Sequence, residues 1–412
     1  MAWMIFIAAF VLIDIYFYQA ILAVSKNWSD NWRMIFRGAY WVPTLLAVAA
    51  ILWWNLGNPN AMGATTRSFI LTGLFGVYLS KILGILVLFI DDLQRGVKWV
   101  AHFFYQGSSE ETLPGKTISR SEFLTKAALV VSAVPVGAMA YGILSGAHDY
   151  RVRRVTVKLP NLPKSFDGIR IGQLSDIHSG SFFNKTAVKG GVEMMMNEKP
   201  DMLFFTGDLV NNEAAEVREY VSIFGKLKAP MGVFSVTGNH DYGDYKQWSS
   251  IAAKQRNFQD LIRAHKEMNF DLLMNENRVV KTGGESISIL GVENWGAGRF
   301  AKYGKLSEAY NGSEEAPVKL LLSHDPSHWD AQVRPTYNDI DIMFAGHTHG
   351  FQFGVEIGDF KWSPSQYVYK QWAGLYQEQS QYLYVNRGFG YLGYPGRIGM
   401  PPELTIMELK RA

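Results

Sequence analysis

Carboxylates, imidazoles and one amide gather at five places in this 412-residue chain, each directly after a short apolar run. The run Ile342–Ala345 ends at Gly346 and delivers His347 and His349 at i and i+2. Residues 169–174 lead into Asp176 and His178, and Met202–Phe205 leads into Asp208. Residues 233–236 lead into Asn239, His240 and Asp241, and Lys319–Leu322 leads into His324. Apolar runs of this length, broken at a small residue, read as buried strands.

In open α/β sheets ligands sit outside the carboxyl ends of the strands, so a shared sheet region would bring these polar tips together. Imidazole and carboxylate donors without thiolates suit manganese, iron or zinc. The set Asp176, His178, Asp208, Asn239, His240, His324, His347 and His349 is too large for one tetrahedral ion. It is about right for two ions sharing a bridging carboxylate. Two-metal sites hold their ions roughly 3.5–4 Å apart and clamp the attacking and leaving oxygens of an in-line displacement. For one histidine alone, a hydrogen-bonded structural role reads equally well; for the whole set it does not. His102, His148, His265 and His328 lack the strand-tip setting and read as structural or surface residues.

A formal charge of +3, without a basic stripe interleaved with aromatics, gives no reason to expect nucleic-acid binding. The absence of cysteine excludes disulfides, thiolate metal ligands and a cysteine nucleophile.

The first third is far more apolar than the rest. Residues 1–24 carry one charge, Asp14; residues 39–56 carry none; 68–90 carry Lys81; and 127–147, around Pro135, carry none. Each run approaches the ~20 residues that cross a bilayer core. An all-α bundle of four transmembrane helices is therefore expected over 1–148, followed by a second domain over 149–412. A soluble bundle is the alternative, but its helices would show a polar stripe. Loop one carries Lys26, Arg33 and Arg37, and loop three Arg95, Lys98, Lys116, Arg120 and Lys126, against Arg67 in loop two. By the positive-inside rule the second domain lies outside the cytoplasm, although Arg151, Arg153 and Arg154 argue the other way. Residues 119–124 resemble a twin-arginine export signal with one arginine missing; an amphipathic lead-in to the fourth helix is the better reading. Asp14 and Lys81 fall about half-way along parallel spans, where a charge costs on the order of 2.5–3.5 kcal/mol. Either they pair inside the bundle or each faces a polar cavity.

The second domain opens with a strand over 151–158. Helices are expected over 185–199, 214–227 and 248–268, giving a βαβ rhythm with the apolar runs. A strand over 286–292 ends in a turn at Glu293, and strands over 382–385 and 404–409 flank a stretch rich in glycine and proline, 386–402. Within it Arg387 and Arg397 are candidates to hold a phosphate oxygen bidentately, or else solvated loop residues.

The succession Asp176-x-His178, Gly207-Asp208, Gly238-Asn239-His240-Asp241, His324 and Gly346-His347-x-His349 resembles the calcineurin-like metallophosphoesterase superfamily over about residues 150–412. The blocks at 346–350 and 386–403 are similar to its bacterial subgroup of membrane-attached or exported enzymes, whose members act on phosphodiesters and lipid A precursors. Phe351 departs from that subgroup, which has glycine there. The resemblance implies an α/β, four-layer αββα sandwich with two mixed sheets. It implies that Asp176, His178 and His349 hold one ion, Asn239, His324 and His347 the other, and Asp208 both. His240 would bind no metal and would stabilise charge or protonate the leaving oxygen.

These readings describe a multi-pass membrane protein that hydrolyses a phosphodiester or pyrophosphate with two divalent ions, manganese first and iron or zinc next. Membrane tethering suggests a lipid-linked or envelope substrate. The alternatives are a phosphomonoesterase acting on a soluble substrate and a non-catalytic membrane-bound interaction module. The expected partners are the phosphoester and the lipid bilayer; oligomeric state stays open.

Overall fold

The computed structural model describes residues 2–58, 62–104, 120–358 and 360–412, and its tertiary contacts divide the chain into two units, Met1–Tyr141 and Gly142–Ala412. The apolar first third forms α1 (Ala2–Val24), α2 (Asp30–Ala39), α3 (Val42–Leu56), α4 (Ala64–Phe104) and α5 (Arg120–Leu144). Among the described residues four spans, Trp3–Val24, Asp30–Leu56, Thr65–Val97 and Glu122–His148, are long and apolar enough to cross a membrane. Helix α2 occupies what reads from the sequence as loop one, and it exposes Trp32, Met34 and Ile35. Helix α4 has 41 residues and so runs about 60 Å, roughly twice the hydrocarbon thickness. The side chains of Lys98, His102, Arg120 and Ser121, and all of Lys116 and Ser119, lie outside the described residues.

Asp14 and Lys81 pair inside the first unit: Lys81 Nζ donates to Asp14 Oδ1, and both side chains are buried. The Asp14 carboxylate also accepts from Thr44 Oγ1 at 2.7 Å and from the Tyr78 hydroxyl at 2.9 Å. Lys81 Nζ lies 4.6 Å from the centre of the Tyr40 ring, a cation–π contact. One carboxylate thereby ties α1, α3 and α4 together.

The second unit opens with β1 (Arg151–Leu159), β2 (Arg170–Leu174), β3 (Met202–Phe205), β4 (Val233–Ser235) and β5 (Asp271–Leu272). Next come β6 (Glu276–Thr282), β7 (Glu285–Gly291), β8 (Lys319–Leu322) and β9 (Ile342–Ala345). A ribbon, β10 (Val355–Ile357) and β11 (Phe360–Trp362), precedes β12 (Gly374–Glu378), β13 (Gln381–Val385) and β14 (Glu403–Arg411). One mixed sheet has the order β1-β14-β2-β3-β4-β5 and the other β12-β13-β9-β8-β7-β6.

Alternation along the strands assigns the layers. Met202 and Phe204 of β3 meet Leu320, Leu322, Ile342 and Phe344 of β8 and β9 between the sheets. Leu203 and Phe205 turn outward to α6 (Lys185–Asn197), α7 (Val221–Phe224) and α8 (Ile251–Glu267). Met343 and Ala345 of β9 turn outward on the other side, against Trp329 and Val333. Both faces of each run are covered, which is why these strands read as unbroken apolar stretches. The result is the four-layer αββα sandwich.

The expected helix over 214–227 is instead a 3₁₀ turn, Ala214–Val217, followed by the single turn of α7. Its buried side chains, Ala214, Val217, Tyr220, Ile223, Phe224 and Leu227, keep the three-and-four spacing of a helix although the backbone does not. The helix over 248–268 starts only at Ile251, where Ser250 caps the Ala253 N–H.

His265 and His328 are buried within the second unit, bonded to the hydroxyls of Ser235 and Ser323. Burial holds His265 down at about 3 and His328 at about 4. Unfolded, both would titrate near 6.5, so the stability they contribute is complete above that pH and is lost as pH falls toward 3. The melting temperature in detergent should drop from pH 7 to pH 5, and His265→Gln should flatten that drop. For the intramembrane pair, Lys81→Met should cost about 3–5 kcal/mol by leaving a buried charge unpaired, and adding Asp14→Asn should recover most of it. Detergent melting curves of the single and double variants measure the difference.

Candidate metal centre

The carboxyl ends of β2, β3, β4, β8 and β9 bring the expected residues together. Asp176, His178, Asp208, His347 and His349 all have positive φ, between 48° and 70°. Side chains other than glycine are held in this region at a cost of about 1–3 kcal/mol each, and only where surrounding contacts fix them. Here the neighbouring tips supply those contacts. The Asp176 N–H donates to Gly207 O at 2.9 Å, His178 N–H to Asp208 O at 3.0 Å, and Gly346 N–H to His324 O at 2.9 Å. Glycine is needed twice for close approach. A Cβ at Gly238 would strike the Asp208 carboxylate, and one at Gly346 would strike Ser175 and Asp176.

Two trios result, Asp176 with His178 and His349, and Asp208 with His324 and His347; within each, the donor atoms lie within 4.8 Å of one another. His178 Nε2 is 3.0 Å from His349 Nε2, and His324 Nε2 is 3.2 Å from His347 Nδ1. Asp208 Oδ2 lies 3.1 Å from His324 Nε2 and 3.4 Å from His178 Nε2, so it reaches both trios. Backbone amides aim the carboxylates: His347 N–H donates to both Asp176 oxygens at 3.0 Å, and His240 N–H to Asp208 Oδ1 at 2.9 Å. His324 Nδ1 is 2.7 Å from Thr206 O; a carbonyl only accepts, so Nδ1 carries a proton and Nε2 is the nitrogen turned toward Asp208 and His347. Asn239 donates through Nδ2 to the Tyr245 hydroxyl at 2.8 Å, while its buried Oδ1 has no partner. An orphaned amide oxygen and crowded imidazole lone pairs suit hard to borderline divalent cations.

His240 stands beside this group. Its ring centre is 5.0 Å from that of His178, and its Nδ1 donates to Asn211 O at 2.8 Å, leaving Nε2 clear of that bond.

Burial pushes the Asp176 and Asp208 carboxyls up, and the imidazoles around them, His349 and His324 foremost, more than reverse this. Both therefore stay ionised. Burial pushes His324 down, and the charge and hydrogen bond of Asp208 outweigh it, raising His324 to about 10. Burial drives His178 well below its ordinary value and lowers His347. Burial and the charge of Asp208 push Asp241 up to about 7.

Four residues outside the expected set support the site. The Asp241 carboxylate accepts from the N–H groups of Asp208, Leu209 and Gly238 and so fixes two of the tips. Asn211 Oδ1 lies 3.1 Å from His178 Nδ1, the Tyr369 hydroxyl 2.7 Å from His347 Nε2, and Asp325 Oδ2 3.7 Å from the same nitrogen. Such partners orient metal-ligating imidazoles. Asp241 and Asp325 directly follow motif histidines, which was the available signal; Asn211 and Tyr369 carry none. Arg387 and Arg397 are buried and held by acceptors inside the domain. Arg387 is 3% exposed and donates to Glu403 at 2.6 Å and Glu356 at 3.0 Å. Arg397 is 1% exposed and donates to the carbonyls of Gly390, Arg387 and Met400.

With its pKa raised, His324 is protonated at pH 7.5 in metal-stripped protein and must lose that proton to donate to a cation. Adding Mn²⁺ to the stripped protein should release ~1 proton per chain, read by calorimetry in buffers of different ionisation heat. Zero release would show that His324 is already neutral.

Residues 1–147 match the family “Probable Calcineurin-like phosphoesterase, transmembrane domain”, and residues 169–351 match “Calcineurin-like phosphoesterase”. The Bacillus subtilis protein named “Uncharacterized metallophosphoesterase YkuE” is 30% identical over 302 residues, covering 72% of this chain and 99% of that one. A Bos taurus “Transmembrane protein with metallophosphoesterase domain” is 31% identical over 66% of this chain, which spans 60% of the bovine protein's length. The “UDP-2,3-diacylglucosamine pyrophosphatase LpxG” of Chlamydia trachomatis is 28% identical over 62% of this chain and 88% of its own. A relative matched along nearly its whole length, on top of the strand-tip geometry, settles the assignment: the chain belongs to the calcineurin-like metallophosphoesterase family, as a membrane-associated member.

Proposed function

We propose that this protein hydrolyses a phosphodiester or pyrophosphate whose alcohol portion is lipid-linked or part of the cell envelope. The observation that carries the reading is the position of Asp208, whose Oδ2 is within 3.4 Å of a histidine from each trio. That is where a carboxylate shared by two ions belongs. Asp176, His178 and His349 would hold one ion, Asn239, His324 and His347 the other, and Asp208 both. Two divalent ions, manganese by preference and iron or zinc otherwise, supply Lewis acidity toward a water and toward the phosphate oxygens when bound.

The chain's own residues do the rest. Amide N–H groups and the two short glycine approaches hold the carboxylates in one orientation before substrate arrives, so little reorganisation is left for the reaction. His240, outside both trios and fixed by its Nδ1–H on Asn211 O, would as an imidazolium give its Nε2 proton to the leaving oxygen as a general acid. The name of LpxG supports a pyrophosphate in an acylated substrate. The basic residues of loops one and three support an extracytoplasmic catalytic domain. The three arginines that argued otherwise each have an acidic partner: Arg151 with Asp149, Arg153 with Glu356, and Arg154 with Glu198.

His240→Ala should keep its metal content by elemental analysis while turnover of bis(p-nitrophenyl) phosphate falls about 10²–10⁴-fold. Loss of metal would make His240 a ligand. Faster hydrolysis of p-nitrophenyl phosphate than of the bis ester would point to a monoesterase.

A further inference from the structure

The ribbon β10–β11 has two unlike faces. Its register pairs Val355 with Trp362, Glu356 with Lys361 and Ile357 with Phe360. Directly opposed residues share a face and neighbours along a strand alternate, so Glu356 and Lys361 lie on one side and the four apolar residues on the other. The charged side is fastened to the rest of the domain. Glu356 accepts from Arg153 at 3.1 Å and from Arg387 at 3.0 Å, and Lys361 Nζ donates to Ala373 O at 2.7 Å. The apolar side points outward, with Ile357 73% and Phe360 62% exposed. Phe353 is also exposed and extends this side, its ring edge-on to Trp362 at 6.1 Å between centres. A two-stranded ribbon is marginal in water, and one that holds large apolar side chains outward marks an interaction surface.

Contacts within the second unit indicate what covers it. Gly142 and Leu144 belong to the last turn of α5, inside the membrane-compatible span Glu122–His148. Arg397 N–H donates to Gly142 O at 3.1 Å. The next residue, Ile398, bridges Phe353, donates to Gln352 O at 2.8 Å and accepts from Gly354 N–H at 2.9 Å. Two consecutive residues thus join Gly142, within the second unit, to the segment 352–354 that leads into β10. Leu144, on that helix end, is itself exposed. In the other direction the surface leads to the metal centre. Trp362 Nε1 donates to the Tyr367 hydroxyl at 3.4 Å, and two residues on, Tyr369 reaches His347.

We propose that the Phe353–Ile357–Phe360 face of the ribbon seats in the bilayer interface and holds the metal centre at headgroup level, so that the substrate is a phosphoester of a membrane lipid. Apolar side chains flanked by Trp and Tyr are suited to that depth. The substrate half of this proposal rests on the hydrolase reading above; the membrane seat does not.

Because the chain has no cysteine, Phe360→Cys gives a single labelling site for bimane in the full-length protein. In phosphatidylcholine nanodiscs with brominated acyl chains, that label should be quenched, while a label at Lys281→Cys, another exposed strand position, should not. Equal quenching at both positions, or shielding of the Phe360 label in detergent that rises with protein concentration, overturns the seat; the latter would assign the face to a second copy. Ile357→Ser with Phe360→Ser should lower hydrolysis of a diacylglycerol p-nitrophenyl phosphate in phosphatidylcholine vesicles by at least about tenfold relative to soluble bis(p-nitrophenyl) phosphate. An unchanged ratio overturns the lipid substrate. If the parent chain hydrolyses neither ester, the hydrolase reading fails, and quenching alone decides the seat.

Discussion

Two imidazole nitrogens 3.0 Å apart in a buried site repel unless a proton or a cation lies between their lone pairs. His178 and His349 are in that position, and His324 and His347 nearly so at 3.2 Å. Two buried carboxylates stand among them. The rest of the second unit can be understood as what it takes to hold these groups together. The close contacts are tolerable because each imidazole carries a second partner facing away from the centre: Asn211 behind His178, Thr206 O behind His324, Tyr369 behind His347 and Arg397 behind His349. Those anchors fix the ring orientations, so that the donor atoms face inward together.

Such crowding needs a rigid frame, and the sandwich supplies it through burial. Strands β2, β3, β8 and β9 are covered on both faces, so a one-residue slip would exchange inter-sheet and outward side chains along the whole run. Register is therefore strongly specified, and with it the position of each tip. The left-handed turns at Asp176, His178, Asp208, His347 and His349 follow from the same constraint. A strand that continued extended would carry its side chain past the site; turning through positive φ returns it, and the hydrogen bonds between tips hold that conformation.

How much of this was legible in the sequence follows from which interactions are local. The strand tips were, because an apolar run broken by a small residue and followed by Asp or His is a pattern within about ten residues. The membrane spans were, for the same reason. Helix α2 was not, since its alternation of Trp, Arg and Phe resembles a basic loop until the backbone is placed. The region 214–227 was misread because its buried residues keep a helical spacing while the backbone forms only a 3₁₀ turn and a single α turn. Strands β10 and β11 have three residues each, too few to register as runs. For Arg387 and Arg397 the pattern did not give their partners. A glycine-rich loop with arginines reads as a phosphate cradle, but their partners, Glu356 and Glu403 for one and a ring of carbonyls for the other, are set by the folded loop.

Arg397 shows why that loop is built around a buried charge. Burial pushes its guanidinium down to about 10, and Asp176 acts in the opposite sense, so it remains a cation at neutral pH. Its Nη2 lies 3.3 Å from His349 Nδ1, and its own N–H bonds Gly142 O at the end of α5. One residue thus touches both a strand-tip histidine and the segment leading out of the apolar third. A neutral side chain of similar length would leave several buried carbonyls without donors, each costing about 1–3 kcal/mol. The planar fork of arginine satisfies them together, and a lysine, with a single nitrogen, could not reach the same set. The position of His349 therefore depends on a buried cation held by carbonyls of its own loop.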